Sequence, residues 1–526
     1  MGVVVRTTGG RVAGVAHGGL LAFKGIPYAA APEGPLRFQA PAPPPPWHGV
    51  RPAHAFGVAP PQLPLTPGSP APWRPEDGLD CLSVNVWTPG GRDDRLPVMV
   101  WIYGGGWKSG WSGDPAYDGA NLARAGVVLV TFNYRVGFEG FGHVPDAPAN
   151  RGFLDQIAAL GWVRENIARF GGDPDNVTVF GESGGGASVA SLLTAPAARG
   201  LFHRAIAQSM AGRYLPQEEA RRIADLLAAA LGVKPKALAT LAPEALLAVQ
   251  DAPLAAMEAE PGAWSTPEAI TAYSPVIDGV TVVDKPWLAV RSGAAREVDL
   301  IAGYTHDEFS MFALQRGLVR PGLAATVRAL PMLASMALSR LRQERSTSAS
   351  RPPRRMRTVN LRGVAESLGL DATAPDQYRA AHPGMADARL YTEMFSDALF
   401  RMPSTWLVEA HTAAGGRGYL YDFTWPSPAL GGALGASHLV DVPVTFGNTD
   451  GPIADFMLGG KPPGEDFEQL SKRLRAAWVS FAATGDPGWP QFTADEALTR
   501  IWNVEPAVVQ DPLADSRRIW HASSGR

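Results

Sequence analysis

One cysteine, Cys81, stands in a chain of 526 residues. A lone thiol closes no intrachain disulfide, and it excludes zinc-finger and iron–sulfur chemistry, which need several thiolates. The expected setting is reduced and cytoplasmic. Excess charge of either sign is also missing: 47 Lys and Arg face 50 Asp and Glu, a net charge of −3. No global field therefore draws the chain to nucleic acid or to an anionic membrane. No apolar run approaches the roughly 20 residues needed to span a bilayer. The opening MGVVVRTTGG has no secretory apolar stretch, and Arg6 stands where a myristoylation site needs Ser or Thr. No internal repeat is present. Lysine is scarce beside arginine while Ala, Gly and Pro abound, a composition associated with a high-GC bacterium.

What is present is a globular composition, 46% hydrophobic and 18% charged. Length alone suggests three or four domains, or one large domain with insertions. Residues 1–75 are rich in Pro and Gly, with PAPPPPW at 41–47. The apolar anchors Phe23, Ile26, Tyr28, Phe38 and Trp47 mark this stretch as an irregular coat over a core. LPVMVWIY (96–103), VVLVTFNY (127–134) and NVTVF (176–180) are continuous apolar runs that predict buried strands. LDQIAALGWVRENIARF (154–170) has helical spacing and stops at Gly171 and Gly172. Strand, helix and strand in that order predict a parallel α/β sheet. Residues 215–260 and 313–370 are helix-prone, and 470–487 reads as a late amphipathic helix ending at Gly485. The basic segment 339–357 reads as a surface loop, with contact to an anionic partner as the alternative.

GESGGGASV, from Gly181, sets Ser183 between glycines, directly after the strand NVTVF and before a helix-like run. Strand, sharp turn and helix form the context of the G-x-S-x-G elbow, which holds a serine hydroxyl above the end of a sheet. A serine hydroxyl is a weak nucleophile at neutral pH. It needs a base, an acid that orients the base, and donors for the oxyanion. YGGGW (103–107), just after LPVMVWIY, offers the amides of Gly105 and Gly106. Gly184 adds a third, immediately after the serine. In GYTHDE (303–308), Asp307 and Glu308 are equal candidates for the acid on sequence alone.

Motifs along nearly the whole chain resemble the type-B carboxylesterases, the cholinesterase-like branch of the α/β-hydrolases. They are FKGIPYA (23–29), LRF (36–38), DCLSVNVWTP (80–89), WIYGGGW (101–107), VTFNYRVG (130–137), the stretch 154–186, FHRAIAQSM (202–210), HLVDVPVTFG (438–447) and WVSFAATGDP (478–487). The resemblance implies an α/β-hydrolase fold: a large, mostly parallel central sheet flanked by helices, with helical insertions. Residues 1–526 would be a single catalytic domain, with 1–75 as the coat and 313–430 as a mainly helical cap. It implies Glu308 as the acid and His438 as the base, in the order nucleophile, acid, base. Ser209, in AIAQSM, would lie behind the histidine in a supporting role. The implied reaction is two-step acyl transfer from a small-molecule ester through an acyl-enzyme, with no metal or organic cofactor and no nucleic-acid or membrane partner. Trp107, Phe309, Met311, Phe312, Phe395 and Phe400 are candidates for a pocket suited to apolar or aromatic groups.

The chain also departs from the family. Leu79 replaces a usual acid, so Arg37 must pair with Asp80 or another partner. Gly184 replaces a usual alanine. Cys81 has no cysteine to join, and Trp73 does not keep the spacing of a cation-binding tryptophan. Two other functions use the same residues differently. One is an acyltransferase or lactone-processing enzyme with the same triad. The other is a binding protein of the same fold without catalysis. The natural ester and the oligomeric state are not legible in the sequence.

Overall fold

The structure, a computed structural model, describes residues 3–64, 71–90, 94–260, 263–264, 270–318, 359–460 and 463–521. The basic segment 339–357 lies outside the described residues. The apolar runs form the centre of an 11-stranded sheet. In chain order its strands are β1 (Val15–His17), β2 (Leu20–Pro27), β3 (Ser83–Thr88), β4 (Leu96–Ile102), β5 (Val128–Phe132), β6 (Gly172–Glu182), β7 (Arg204–Gln208), β8 (Asp299–Thr305), β9 (Gly418–Phe423), β10 (Leu498–Trp502) and β11 (Ala507–Gln510). Across the sheet the order is β11-β10-β9-β8-β7-β6-β4-β5-β3-β2-β1. Pairing is parallel from β10 to β5 and antiparallel at both margins.

Continuous apolar runs suit the centre because a parallel sheet is covered on both faces. All of β3 and β5, and the second half of β4, are buried. The helices include α1 (Arg151–Asn166), α2 (Gly184–Leu192), α3 (Asp387–Ser396), α4 (Met402–Ala413) and α5 (Glu465–Thr484), and α1, α2, α4 and α5 pack against the sheet. Trp101 of β4 shows how the core closes: its ring lies 4.8 Å from Phe180 of β6 and 5.0 Å from Phe446, the last residue of a short helix at Asp441–Phe446. Helix α5 ends with Gly485 in the left-handed conformation (φ 80°), where the sequence places its stop.

Two expected boundaries shift. The stretch 1–75 is not wholly an irregular coat, because β1 and β2 come from it and extend the sheet edge. Strands at Val4–Arg6, Arg11–Ala13 and Val50–Pro52 form a separate small sheet. Their short length and the prolines and glycines around them hide the alternation that marks a strand. Phe23, Ile26 and Phe38 are buried as expected. Similarly, 313–430 runs past the helical region into β9, a sheet strand whose residues are all buried.

Candidate functional site

The parallel register brings distant residues to one sheet edge. Glu182 pairs with Gln208, and Gln208 with Gly303. Ser183, Ser209 and the turn after Thr305 therefore emerge side by side at the carboxyl ends of β6, β7 and β8, where open α/β sheets gather their sites. Ser183 has φ 60° and ψ −123°, a strained conformation for a residue with a side chain. Its amide donates to the Gln208 carbonyl (3.0 Å), and its carbonyl accepts from Ala187 N (2.9 Å) and Ala211 N (3.4 Å). The glycines around it are steric necessities. A Cβ on Gly181 would lie 2.6 Å from the Ile102 carbonyl oxygen, and one on Gly185 would overlap that same oxygen.

His438 Nε2 lies 2.8 Å from Ser183 Oγ, and its Nδ1 lies 2.6 Å from Glu308 Oε2. Glu308 is fully buried and its other oxygen accepts from Thr305 N at 2.9 Å. Asp307 turns away from the imidazole. Its Oδ2 accepts from Ala436 N (2.9 Å) while its own amide donates to the Ala436 carbonyl (2.8 Å). The two acidic neighbours are thus distinguished by geometry: Glu308 meets the histidine, and Asp307 clamps the loop that delivers it.

Glu182 lies next to Ser183 in the elbow, yet sequence reasoning gave it no role. Its Oε1 sits 3.3 Å from His438 Nε2. Asp441, three residues after the histidine, is buried and accepts from Gln208 Nε2 at 2.9 Å. Burial pushes the Glu182 carboxyl well above the carboxylate range, and burial lifts Asp441 to about 6. Burial works against the His438 cation, but Glu182 and Glu308 together outweigh it and hold His438 at about 9. The signal for both acids was present: Glu182 in G-E-S-G and Asp441 in H-x-x-D.

The amides of Gly105, Gly106 and Gly184 find no acceptor in the protein among the described residues. Gly184 Cα faces the Gly106 and Trp107 amides: a Cβ there would lie 3.4 and 3.3 Å from them. Ser209 is buried, and its hydroxyl has no hydrogen-bond partner among the described residues. It makes no bond to the histidine.

The pocket candidates divide. The ring centroids of Phe400 and Phe312 lie 4.4 and 5.6 Å from that of His438. Phe309 and Phe395 stack on each other at 5.1 Å, one layer behind Phe312. Trp107 is buried and donates to Ser188 Oγ of α2 at 3.1 Å. Met311 is buried. Arg37 pairs with Glu139 (2.5 Å) and Asp80 stays exposed. The Trp73 indole donates to the Gly78 carbonyl.

A family model described as the carboxylesterase family matches residues 2–508. The chain is 33% identical to a para-nitrobenzyl esterase of Bacillus subtilis (strain 168), covering 99% of each chain. It is 32% identical to a phenmedipham hydrolase of Pseudarthrobacter oxydans, covering 97% of each. Among solved structures, a thermophilic PNB esterase superposes with a TM-score of 0.80 at 32% identity, over 98% of this chain and 99% of that one.

Proposed function

The chain belongs to the carboxylesterase family and is a serine ester hydrolase, and from that premise we propose that Ser183 is its nucleophile, His438 its general base and Glu308 the acid that orients the base. The observation that carries this reading is the unbroken line Ser183 Oγ–His438 Nε2 (2.8 Å) and His438 Nδ1–Glu308 Oε2 (2.6 Å). Both distances fall within hydrogen-bond reach for proton transfer.

In this reaction His438 takes the Ser183 proton as Oγ attacks the ester carbonyl. Glu308 holds the imidazole in the tautomer that can accept at Nε2, and stabilises the cation that forms. The free amides of Gly105, Gly106 and Gly184 bind the oxyanion, each worth about 3 kcal/mol in the transition state. The alcohol leaves with the proton from His438, and water then repeats the sequence on the acyl-enzyme. One catalytic domain carries the whole site. Phe312 and Phe400 beside the base favour esters with apolar or aromatic groups, in keeping with the aromatic group in the name of the para-nitrobenzyl relative.

The test combines labelling and turnover. A fluorophosphonate probe labels the wild type and leaves Ser183→Ala unlabelled. The substitution lowers kcat for a para-nitrophenyl ester on the order of 10⁶-fold. Labelling of Ser183→Ala, or turnover within tenfold of wild type, overturns the assignment.

A further inference from the structure

The helical run through α3 and α4 contains one turn that is not α-helical. Asp397–Arg401 is a π turn, closed by Met402 N–H donating to the Asp397 carbonyl. A π turn inserts one extra residue, shifting the helix on one side by about 100° relative to the other. Three successive residues of this turn reach three different parts of the site. The Leu399 carbonyl accepts from Gly212 N at 2.7 Å, and Gly212 follows Ala211, whose amide bonds the Ser183 carbonyl. The Phe400 ring lies 4.4 Å from the His438 ring. Arg401 Nη1 donates at 3.0 Å to the carbonyl of His306, two residues before Glu308. Just ahead of the turn, Ser396 Oγ accepts from the amide of Phe309, the residue after Glu308.

Arg401 is 2% exposed, and a buried cation is costly unless paired and hydrogen-bonded. Here Nε donates to Asp397 Oδ1 (2.7 Å) and Nη2 to Glu393 Oε2 (2.8 Å). Asp397 also accepts from the Tyr378 hydroxyl, which accepts from the Trp520 indole.

We propose that the π turn Asp397–Arg401 is a positioning element for the ester hydrolysis, with Arg401 as its lock: Leu399, Phe400 and Arg401 hold the segments that carry nucleophile, base and acid in mutual register. The proposal rests on the triad assignment above. Arg401 touches neither substrate nor reacting atoms, and it acts through the acid turn and through the seat of Phe400.

The test is made on the full chain, with kcat expressed per active site titrated by the fluorophosphonate probe. Arg401→Lys keeps the charge but cannot span Asp397, Glu393 and His306 O together. It lowers kcat per titrated site by roughly 10- to 100-fold, with KM changed less than about 3-fold, the size expected of a displacement near 1 Å. Phe400→Leu, which keeps the helical charge cluster, lowers kcat by about 5- to 50-fold. Tyr419→Phe, which removes a hydrogen bond to the Gly485 carbonyl near the far end of β9 from the site, is the stability control: it lowers Tm and leaves kcat per titrated site at the wild-type value. If Arg401→Lys and Phe400→Leu lose Tm but keep wild-type kcat per titrated site, the turn is only structural and the proposal fails. If Arg401→Lys does not fold, Phe400→Leu decides. Failure of the triad assignment gives a different result, since Ser183→Ala then still turns over.

Discussion

The two halves of the site are built in opposite ways. The half that carries the proposed nucleophile comes from one stretch: β6 enters, Ser183 turns and α2 leaves, all within residues 172–192. The acid–base half is assembled from the turn after β8, the loop before His438 and the π turn between α3 and α4, segments separated by about a hundred residues or more in all. The first half depends on the absence of side chains at chosen points, the second on side chains that bridge. Substitution should therefore break the first by steric collision and the second by lost clamping.

The largest effect is expected in the elbow. Gly185→Ala pushes a methyl group into the Ile102 carbonyl oxygen, and neither backbone can withdraw without moving β4 or α2. Soluble yield and Tm should fall together, with destabilisation of at least about 3 kcal/mol. A folded Gly185→Ala enzyme with wild-type Tm would mean that the elbow is looser than its geometry.

Next comes the contrast between the acidic neighbours. Glu308→Gln should lower kcat on the order of 10⁴-fold, because the amide no longer holds the imidazole tautomer. Asp307→Ala removes the acceptor for Ala436 N but leaves the imidazole its acid, so roughly a 10-fold loss in kcat is expected, with KM little changed. Asp307→Asn keeps an oxygen for that amide and should restore most of the rate. If Asp307→Asn instead falls as far as Glu308→Gln, the two roles are exchanged.

The same contrast explains what was legible beforehand. Strand, glycine turn and helix around Ser183 obey local rules, so the runs at 96–103, 127–134 and 176–180 and the elbow itself could be identified from spacing. Glu308 could not be separated from Asp307 that way, because the choice depends on where Ala436 and His438 lie across the fold. Resemblance to a family pointed to Glu308, and the 2.6 Å contact places it on the histidine. The π turn left no periodic signal, since one extra residue in a helical run resembles a small phase drift. Phe312 and Phe400 are two of six pocket candidates in the sequence, and only tertiary packing selects these two as neighbours of His438. Arg37 found Glu139 for the same reason: the partner lies about a hundred residues on, in a helical turn, rather than at the neighbouring Asp80.

The smallest expected effect is a shift along the pH axis, and it probes how the halves join, because Glu182 belongs to the elbow and His438 to the other side. His438 stands at about 9, above the roughly 6.5 of a free imidazole. Folding therefore favours its cation. That contribution to stability is complete below about pH 6.5 and is lost as pH rises through about 9. The base must be neutral to accept the Ser183 proton, so kcat/KM should climb from neutral pH toward about 9 before levelling. Glu182→Gln removes a carboxyl group 3.3 Å from Nε2 whose negative form favours the cation, and the rising limb should move to lower pH. Proton-coupled titration of kcat/KM between pH 5 and 10 measures the displacement. A limb that stays in place would assign the lift to Glu308 and Asp441, and would leave the elbow electrostatically independent of the base it serves.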